Sequence, residues 1–192
     1  DLAQAHAITE EVAGALYKET VASFHGVIDG GFMAVIDGVR LIEYNARFGD
    51  PEVMNVLPIM KTDFVEVCEG ILGGNLNRVK VDFEKKATVC KYVVPHGYPD
   101  APRANEKIII DEAAAKNARR YYSSVDARAD GLYLSSSRAV AFVGIADTLP
   151  DAERIAEAAC TSVKGPVFHR EDVGTAALIE KRVRMMREVR GQ

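Results

Sequence analysis

The sequence predicts an α+β fold in which an α/β first part is followed by a small β-rich part that ends in two helices. Two observations indicate this fold. Up to about Asn77, helical hydrophobic patterns flank a single strand hairpin, and after Asn77 short β-prone runs alternate with glycine, proline, aspartate and serine. We therefore expect two domains, residues 1–77 and residues 78–192.

Composition excludes several classes of partner. The chain has 192 residues, 48% of them hydrophobic, which is enough for one large core or two small ones. Lysine and arginine number 24 against 28 acidic residues, so the net charge of −4 indicates neither nucleic acid nor an anionic membrane as a partner. Apolar stretches such as residues 139–146 are too short to span a bilayer, and the first residues lack a signal-peptide pattern. A cytoplasmic protein is expected.

The cysteines and histidines indicate no catalytic or metal cluster. Three cysteines, far apart and odd in number, fit neither a disulfide framework nor a zinc site, so we expect buried, reduced thiols at Cys68, Cys90 and Cys160. The four histidines are dispersed, and each is expected to be a surface or hydrogen-bonded residue: His6, His25, His96 and His169.

The first part is predicted to be a helix followed by a hairpin. Apolar residues at spacings of three and four predict one amphipathic helix from Ala3 to about Ser23. Asp37-Gly38 lies between two apolar runs, which is typical of a hairpin with a type I′ turn. Val39 to Asn45 is then the second arm of the hairpin.

Two short helices are predicted next. Asp50-Pro51 indicates an N-cap followed by a first-turn proline, and Pro58 keeps that helix short. Asp63 is expected to cap a second helix, which Gly73-Gly74 ends.

The β-rich part is predicted from six short runs, followed by two helices. The runs are Val79–Phe83, Ala87–Val94, Lys107–Ile110, Tyr121–Val125, Gly131–Leu134 and Arg138–Ile145. The helices are expected from Pro150 to about Val163 and from Thr175 to Val189.

The candidate site lies between Ile42 and Glu52. Side chains alternate between the two faces of a strand, so Glu43, Asn45 and Arg47 are expected on one face. A carboxylate and an amide oxygen two residues apart suit a hard cation such as Mg²⁺, which also takes phosphate oxygens as ligands. Arg47 can make bidentate contacts with phosphate or carboxylate, and Asp50 can contact an ammonium group or cap the following helix. From the residues alone, a solvated sheet face is the alternative.

The eleven residues 42–52, Ile-Glu-Tyr-Asn-Ala-Arg-Phe-Gly-Asp-Pro-Glu, resemble the metal- and phosphate-binding strand of the phosphoribosylamine–glycine ligases, also called glycinamide ribonucleotide synthetases. These enzymes belong to the ATP-grasp superfamily. Further resemblance lies in Lys91-Tyr92-Val93-Val94-Pro95 and in residues 168–174, Phe-His-Arg-Glu-Asp-Val-Gly. Residues 135–148 are most similar to archaeal-type members.

The resemblance implies the C-terminal part of an ATP-grasp fold over residues 1–77, followed by a barrel-like domain of single-hybrid-motif type. It implies an ATP-dependent carbon–nitrogen ligase of purine biosynthesis with glycine, 5-phosphoribosylamine and ATP as substrates. In that scheme Glu43 and Asn45 hold Mg²⁺ or Mn²⁺ between nucleotide phosphates. Arg47 stabilises phosphate oxygens, and Asp50 orients glycine or the amine.

Family members also carry an N-terminal part with a lysine-bearing subdomain and a glycine-rich loop, and no glycine spacing of that kind occurs here. We expect this chain to need that N-terminal part, to be inactive alone, and to self-associate through exposed apolar surface. Asp29 stands where a tyrosine is frequent in the family. Two alternatives stay open: another ATP-grasp carboxylate–amine ligase or carboxylase subunit, and a noncatalytic binding or assembly domain.

Other charged residues have two interpretations each. Lys91 and Arg103 are candidates for contact with a sugar phosphate, or lie on a solvated strand and loop. The basic residues of the last helix are expected to form a solvated face rather than a nucleic-acid site: Lys181, Arg182, Arg184, Arg187 and Arg190.

Overall fold

The computed structural model describes residues 1–191, which form two compact units. The first unit contains residues 1–53, residues 60–84 and the C-terminal helix from Glu180 onward, and the second contains residues 54–59 and 85–179. In this part of the chain no helix is long and apolar enough to cross a membrane.

The first unit is built around a two-stranded hairpin. Its elements are α1 (Leu2–Thr20), β1 (Asp29–Val35), β2 (Gly38–Asn45), the start of α2 (Glu52–Val56), and α3 (Phe64–Leu72). A short 3-10 helix, Leu57–Ile59, follows α2 in the second unit, and another, Leu76–Arg78, follows α3. The predicted helix, hairpin and two short helices are therefore present.

Helix α1 is joined to the hairpin by two side-chain hydrogen bonds. The backbone N–H of Val39 donates to Gln4 Oε1 at 2.9 Å. The hydroxyl groups of Thr9 and Tyr44 are 2.8 Å apart. These contacts fix the face of the hairpin that carries Tyr44 against α1.

The predicted turn type is wrong, although the hairpin is right. Val35 pairs with Gly38, so the two turn residues are Ile36 and Asp37. Among non-glycine residues of the described chain, only Val21 and Asn105 have positive φ, so Asp37 does not adopt the conformation of a type I′ turn. Gly38, with φ of 135°, instead supplies the unusual backbone angle.

The predicted caps of α3 are confirmed, and helix α2 begins one residue later than predicted. Asp63 Oδ1 accepts a hydrogen bond from the backbone N–H of Val65 at 2.8 Å. Gly74, with φ of 64°, follows the end of α3. Helix α2 begins at Glu52, so Pro51 and not Asp50 directly precedes it.

The second unit contains two four-stranded antiparallel sheets. One sheet has the order β10-β3-β8-β5 and the other β6-β7-β4-β9. Their strands are β3 (Ala87–Pro95), β4 (Lys107–Ile110), β5 (Arg119–Tyr122), β6 (Val125–Arg128), β7 (Gly131–Leu134), β8 (Val140–Ala146), β9 (Val163–Lys164) and β10 (Val167–His169). The helices are α4 (Glu112–Ala115), α5 (Leu149–Thr161) and the first turn of α6 (Ala176–Arg190).

Helix α5 packs on the first of these sheets through small residues. Ala152, Ala156 and Ala159 are fully buried. Gly144 in β8 permits the close approach, because a Cβ at this position would lie 1.8 Å from the carbonyl oxygen of Ala152. Phe142 and Val93 lie in one hydrophobic cluster with Ala159, and Val89 lies in another with Ala152 and Ala156.

Two of the six predicted β runs are wrong in detail. Val79–Phe83 is not a strand, since Phe83 makes only an isolated bridge with Met60. Tyr121–Val125 is interrupted at Ser123-Ser124, where β5 ends and β6 begins. Ser135 Oγ donates to the carbonyl oxygen of Ser124 at 2.8 Å, which stabilises the break.

Candidate functional site

The open end of the hairpin brings Glu43 and Asn45 onto one face. Asn45 pairs directly with Asp29, and Glu43 pairs with Gly31. Because these positions are two residues apart on each strand, all four lie on the same side of the hairpin. Tyr44 lies on the other side, where its ring packs edge-on against Phe32 with centroids 6.1 Å apart.

The carboxylate of Glu43 is open to solvent. Within residues 1–191, the side-chain carboxylate of Glu43 makes no hydrogen bond and no ion pair. Its cross-strand partner Gly31 has no side chain, and even a Cβ there would come only within 3.6 Å of Glu43 Cγ. Glu43 is therefore available as an oxygen ligand.

Asn45 is half-buried and its amide orientation is fixed by an acidic neighbour. Asn45 Nδ2 donates to Asp29 Oδ2 at 3.1 Å. An ionised carboxylate can only accept hydrogen bonds, so the NH₂ group of the amide must face Asp29. The amide oxygen of Asn45 is left for another donor or a cation.

Gly49 brings a second carboxylate close to Asp29. Gly49 is buried, and a Cβ built on Gly49 would lie 2.7 Å from Asp29 Oδ2 and 2.6 Å from Glu52 Oε2. The two carboxylates thus approach the same point of the backbone, which only glycine accommodates without displacing them. Asp29 and Glu52 were not among the sequence-predicted site residues.

Arg47 and Asp50 lie in the loop after the hairpin. Strand β2 ends at Asn45, so the alternation that places Glu43 and Asn45 does not extend to Arg47. Arg47 is exposed and its Nη1 donates to the carbonyl oxygen of Phe48 at 2.8 Å. The Phe48 ring packs on Phe64 of α3 with centroids 5.9 Å apart, which anchors this loop. Asp50 is exposed.

The hairpin offers two side-chain oxygen donors to a metal ion. In the described part of the chain, no group of three or more histidine, cysteine, aspartate or glutamate residues could hold a metal. The hairpin instead offers the carboxylate of Glu43 and the amide oxygen of Asn45. That pair fits a hard cation that keeps several waters and takes its remaining ligands from phosphate.

Lys91 is not a phosphate ligand in this structure, and it is not solvated either, so both interpretations drawn from the sequence are wrong. Its side chain is 0% exposed, and Nζ donates to Glu153 Oε1 at 2.7 Å, to Glu157 Oε2 at 2.5 Å and to the carbonyl oxygen of Glu171 at 2.8 Å. Burial alone would lower the pKa of Lys91, but the hydrogen bonds to Glu153 and Glu157 outweigh it and raise the pKa.

The predictions for His169, Cys90 and Cys160 are confirmed, whereas Cys68 is less buried than predicted. His169 is mostly buried, and its Nε2 lies 2.9 Å from Glu157 Oε1. Cys90 and Cys160 are buried thiols that form no disulfide within the described residues, and Cys68, in the first unit, is a half-buried one. Burial raises the pKa of Cys160 to about 12, so this thiol is a poor nucleophile.

Comparison with known families identifies two matching segments. Residues 2–53 match the family model described as phosphoribosylglycinamide synthetase, ATP-grasp (A) domain. Residues 88–176 match the one described as phosphoribosylglycinamide synthetase, C domain. The candidate strand lies within the first segment. The boundary between residues 77 and 78 stays a prediction.

Relatives of known name agree with these matches. A phosphoribosylamine–glycine ligase of Methanocaldococcus jannaschii is 52% identical over 99% of this chain and 43% of its own length. The same enzyme of Methanosarcina barkeri is 43% identical over 100% of this chain and 44% of its own length. This chain therefore spans less than half the length of these relatives.

Solved structures support the fold. The crystal structure of a phosphoribosylamine–glycine ligase from Thermotoga maritima matches with a TM-score of 0.63 and 23% identity, over 76% of this chain and 36% of that one. The mixed α and β architecture predicted from the sequence is thereby confirmed. Since two segments match models of one synthetase and archaeal relatives match along the whole sequence, this chain belongs to the phosphoribosylamine–glycine ligase family, and it corresponds to the C-terminal portion of that enzyme.

Proposed function

We propose that this chain supplies one wall of the Mg·ATP site in an ATP-dependent ligase that joins glycine to 5-phosphoribosylamine. The products are glycinamide ribonucleotide, ADP and phosphate, as required in de novo purine biosynthesis. The observation that supports this most is the hairpin face on which an open Glu43 carboxylate adjoins an Asn45 amide whose NH₂ group is already engaged.

Glu43 and Asn45 are the residues that would hold Mg²⁺ or Mn²⁺. A bound divalent cation supplies charge neutralisation for the phosphates of ATP during phosphoryl transfer. Glu43 contributes an anionic oxygen from an exposed side chain, and Asn45 contributes a neutral oxygen from an amide that is already oriented by its hydrogen bond to Asp29. The Asn45 ligand therefore needs little rearrangement when the cation binds.

Arg47 and Asp50 complete the proposed site from the loop. The guanidinium of Arg47 is exposed and carries four further N–H donors besides the one held by Phe48, so it can contact phosphate oxygens. Asp50 would orient glycine or the substrate amine. The carboxylate of glycine takes the terminal phosphoryl group of ATP, and the amine of 5-phosphoribosylamine then displaces phosphate to form the amide.

The relatives are more than twice as long as this chain, which spans about 43% of them. We therefore expect ligase activity only from the complete ligase that carries this chain together with the N-terminal part found in the relatives. An alternative function as a noncatalytic assembly domain predicts no activity even then.

Replacement of Glu43 tests the proposal. In the complete ligase, Glu43→Ala should lower the rate of glycinamide ribonucleotide formation at least about 100-fold at saturating Mg²⁺, because several kcal/mol of charge stabilisation is lost. Phosphate release with glycine, 5-phosphoribosylamine and ATP measures this rate.

Glu10→Ala is the matched control, since Glu10 is an exposed carboxylate on α1 that pairs with His6. It should leave the rate unchanged. Near-normal turnover of the Glu43→Ala variant would contradict the assignment of Glu43, and an unchanged ligase that forms no product would contradict the proposed function.

A further inference from the structure

We propose that Asp29 is a positioning residue for the metal site: it holds the amide of Asn45 in the one orientation that presents oxygen, and not nitrogen, to the cation. This inference rests on the proposed function, because it concerns the same cation. It differs from the assignment of Glu43 and Asn45, since Asp29 acts through its neighbour.

The side-chain amide of Asn45 is nearly symmetric in shape. The NH₂ and C=O ends of asparagine have nearly the same size, so packing alone does not select between the two orientations. Only hydrogen bonding selects between them. A metal site that uses the amide oxygen of Asn45 therefore needs a neighbour that accepts from Nδ2 and rejects the oxygen.

Asp29 is such a neighbour. Its Oδ2 lies 3.1 Å from Asn45 Nδ2, and the two residues are direct partners in the β1–β2 ladder. If the amide rotated by half a turn, its oxygen would face the carboxylate, and two acceptors would meet without a proton between them. The carboxylate thus favours one orientation by both attraction and repulsion.

The position of Asp29 is itself fixed by the backbone. It is the first residue of β1, and its carboxylate lies against buried Gly49. A side chain at position 49 would displace it. Partners that orient metal ligands in this way contribute strongly to metal affinity, and their loss lowers it by about 10-fold to 100-fold.

Cross-strand hydrogen bonding at the hairpin end is the purely structural alternative. Such a pair contributes modestly to stability and has no bearing on metal binding. The two interpretations therefore predict different measurements: a change in metal affinity in one case, and a small change in unfolding free energy alone in the other.

Mn²⁺ binding to the complete ligase in the presence of ATP distinguishes them, with free Mn²⁺ followed by electron paramagnetic resonance. Asp29→Asn keeps the size of the side chain but can donate as well as accept, so it no longer selects one orientation of Asn45. We expect it to weaken Mn²⁺ binding about 10-fold, with a matching rise in the Mg²⁺ concentration needed for half-maximal activity.

The reversed pair, Asp29→Asn with Asn45→Asp, should restore much of the affinity. In this double variant the amide at position 29 donates to one oxygen of the carboxylate at position 45. The second oxygen of that carboxylate is left for the cation. Asp37→Asn is the control: it removes one carboxylate from the same hairpin, at an exposed turn where Asp37 pairs with Arg40. It should leave Mn²⁺ affinity unchanged.

Equal Mn²⁺ affinity of the unchanged ligase and the Asp29→Asn variant would overturn the inference while leaving the proposed function intact. The inference would also be overturned if the double variant bound Mn²⁺ no more tightly than the Asp29→Asn variant. If the unchanged ligase binds no Mn²⁺ with ATP, the proposed function fails, and the role of Asp29 fails with it.

Discussion

Lys91 keeps its charge inside the second unit because three acceptors surround its ammonium group. Burial tends to raise the pKa of Glu157, but the hydrogen bonds from Lys91 and His169 outweigh this and lower it below its ordinary value of 4.5. The pKa values of the two partners are thus shifted in opposite directions, which is the signature of an ion pair that stabilises the folded state.

The pH dependence of unfolding should reveal this pair. Since the folded pKa of Glu157 is depressed, its contribution is fully present above the unfolded pKa and is lost as pH falls through the lower folded pKa. The raised pKa of Lys91 places the opposite loss in the alkaline range. Between these limits the contribution of the pair is constant.

Glu157→Gln removes the carboxylate whose protonation breaks the ion pair in acid. Urea unfolding from pH 7 to pH 3 should show a lower stability of the variant at neutral pH and a smaller further loss on acidification. Glu11→Gln, at an exposed position of α1, is the control and should follow the unchanged chain. Parallel acid curves for Glu157→Gln and the unchanged chain would contradict the ion pair.

The sequence alone places Glu43 and Asn45 but cannot find Asp29. Strand alternation is local, so the shared face of Glu43 and Asn45 follows from their spacing. The partner across the hairpin depends on the turn and on a bulge between Gly31 and Phe32, which shifts the register by one residue. A turn at Asp37-Gly38 without the bulge would pair Asn45 with Gly30.

At the level of elements, the packing of α5 on the sheet depends on Gly144. A Cβ on Gly144 would lie 1.8 Å from the carbonyl oxygen of Ala152. Because this oxygen belongs to the backbone, no side-chain rotation can relieve the contact. The helix must move away from β8 if a larger residue is present. Small residues along α5, including Ala156, allow the close packing.

Gly144→Ala should therefore destabilise the chain by about 1–3 kcal/mol, measured by urea unfolding. Gly14→Ala is the matched control: Gly14 lies in α1, and a Cβ there would have no atom within 4 Å. That substitution should be neutral or stabilising by up to about 1 kcal/mol, because alanine favours the helix. Equal effects of the two variants would contradict the packing described for α5.

Elements with strong local signals were predicted, and those defined by tertiary pairing were not. Alternating or apolar runs and turn residues identified the long strands β3 and β8 and the capped helix α3. Strands β9 and β10 have two and three residues, which is too short for a hydrophobic pattern to predict them. They form because β9 pairs with β4 and β10 pairs with β3. The failure at residues 79–83 has the same origin, since β propensity without a partner strand does not make a strand.

For the whole molecule, the sequence indicated the family through a motif and also indicated two parts, whereas only the structure shows that the helix from Glu180 onward belongs to the first unit. The first unit exposes large apolar side chains on α1 and on the hairpin, among them Leu2, Val21 and Ile36. Several such residues on one unit agree with the expected self-association, which stays a prediction. They also agree with a further protein surface covering this unit in the complete ligase.

The Glu43 and Asn45 face is proposed as one wall of a Mg·ATP site whose remaining contacts come from the rest of the ligase. Isothermal titration calorimetry with Mg·ATP, on this chain and on the complete ligase, tests it most directly. We predict that the complete ligase binds Mg·ATP and that the isolated chain shows no measurable binding. Failure of the complete ligase to bind Mg·ATP, together with absent ligase activity, would contradict the claim.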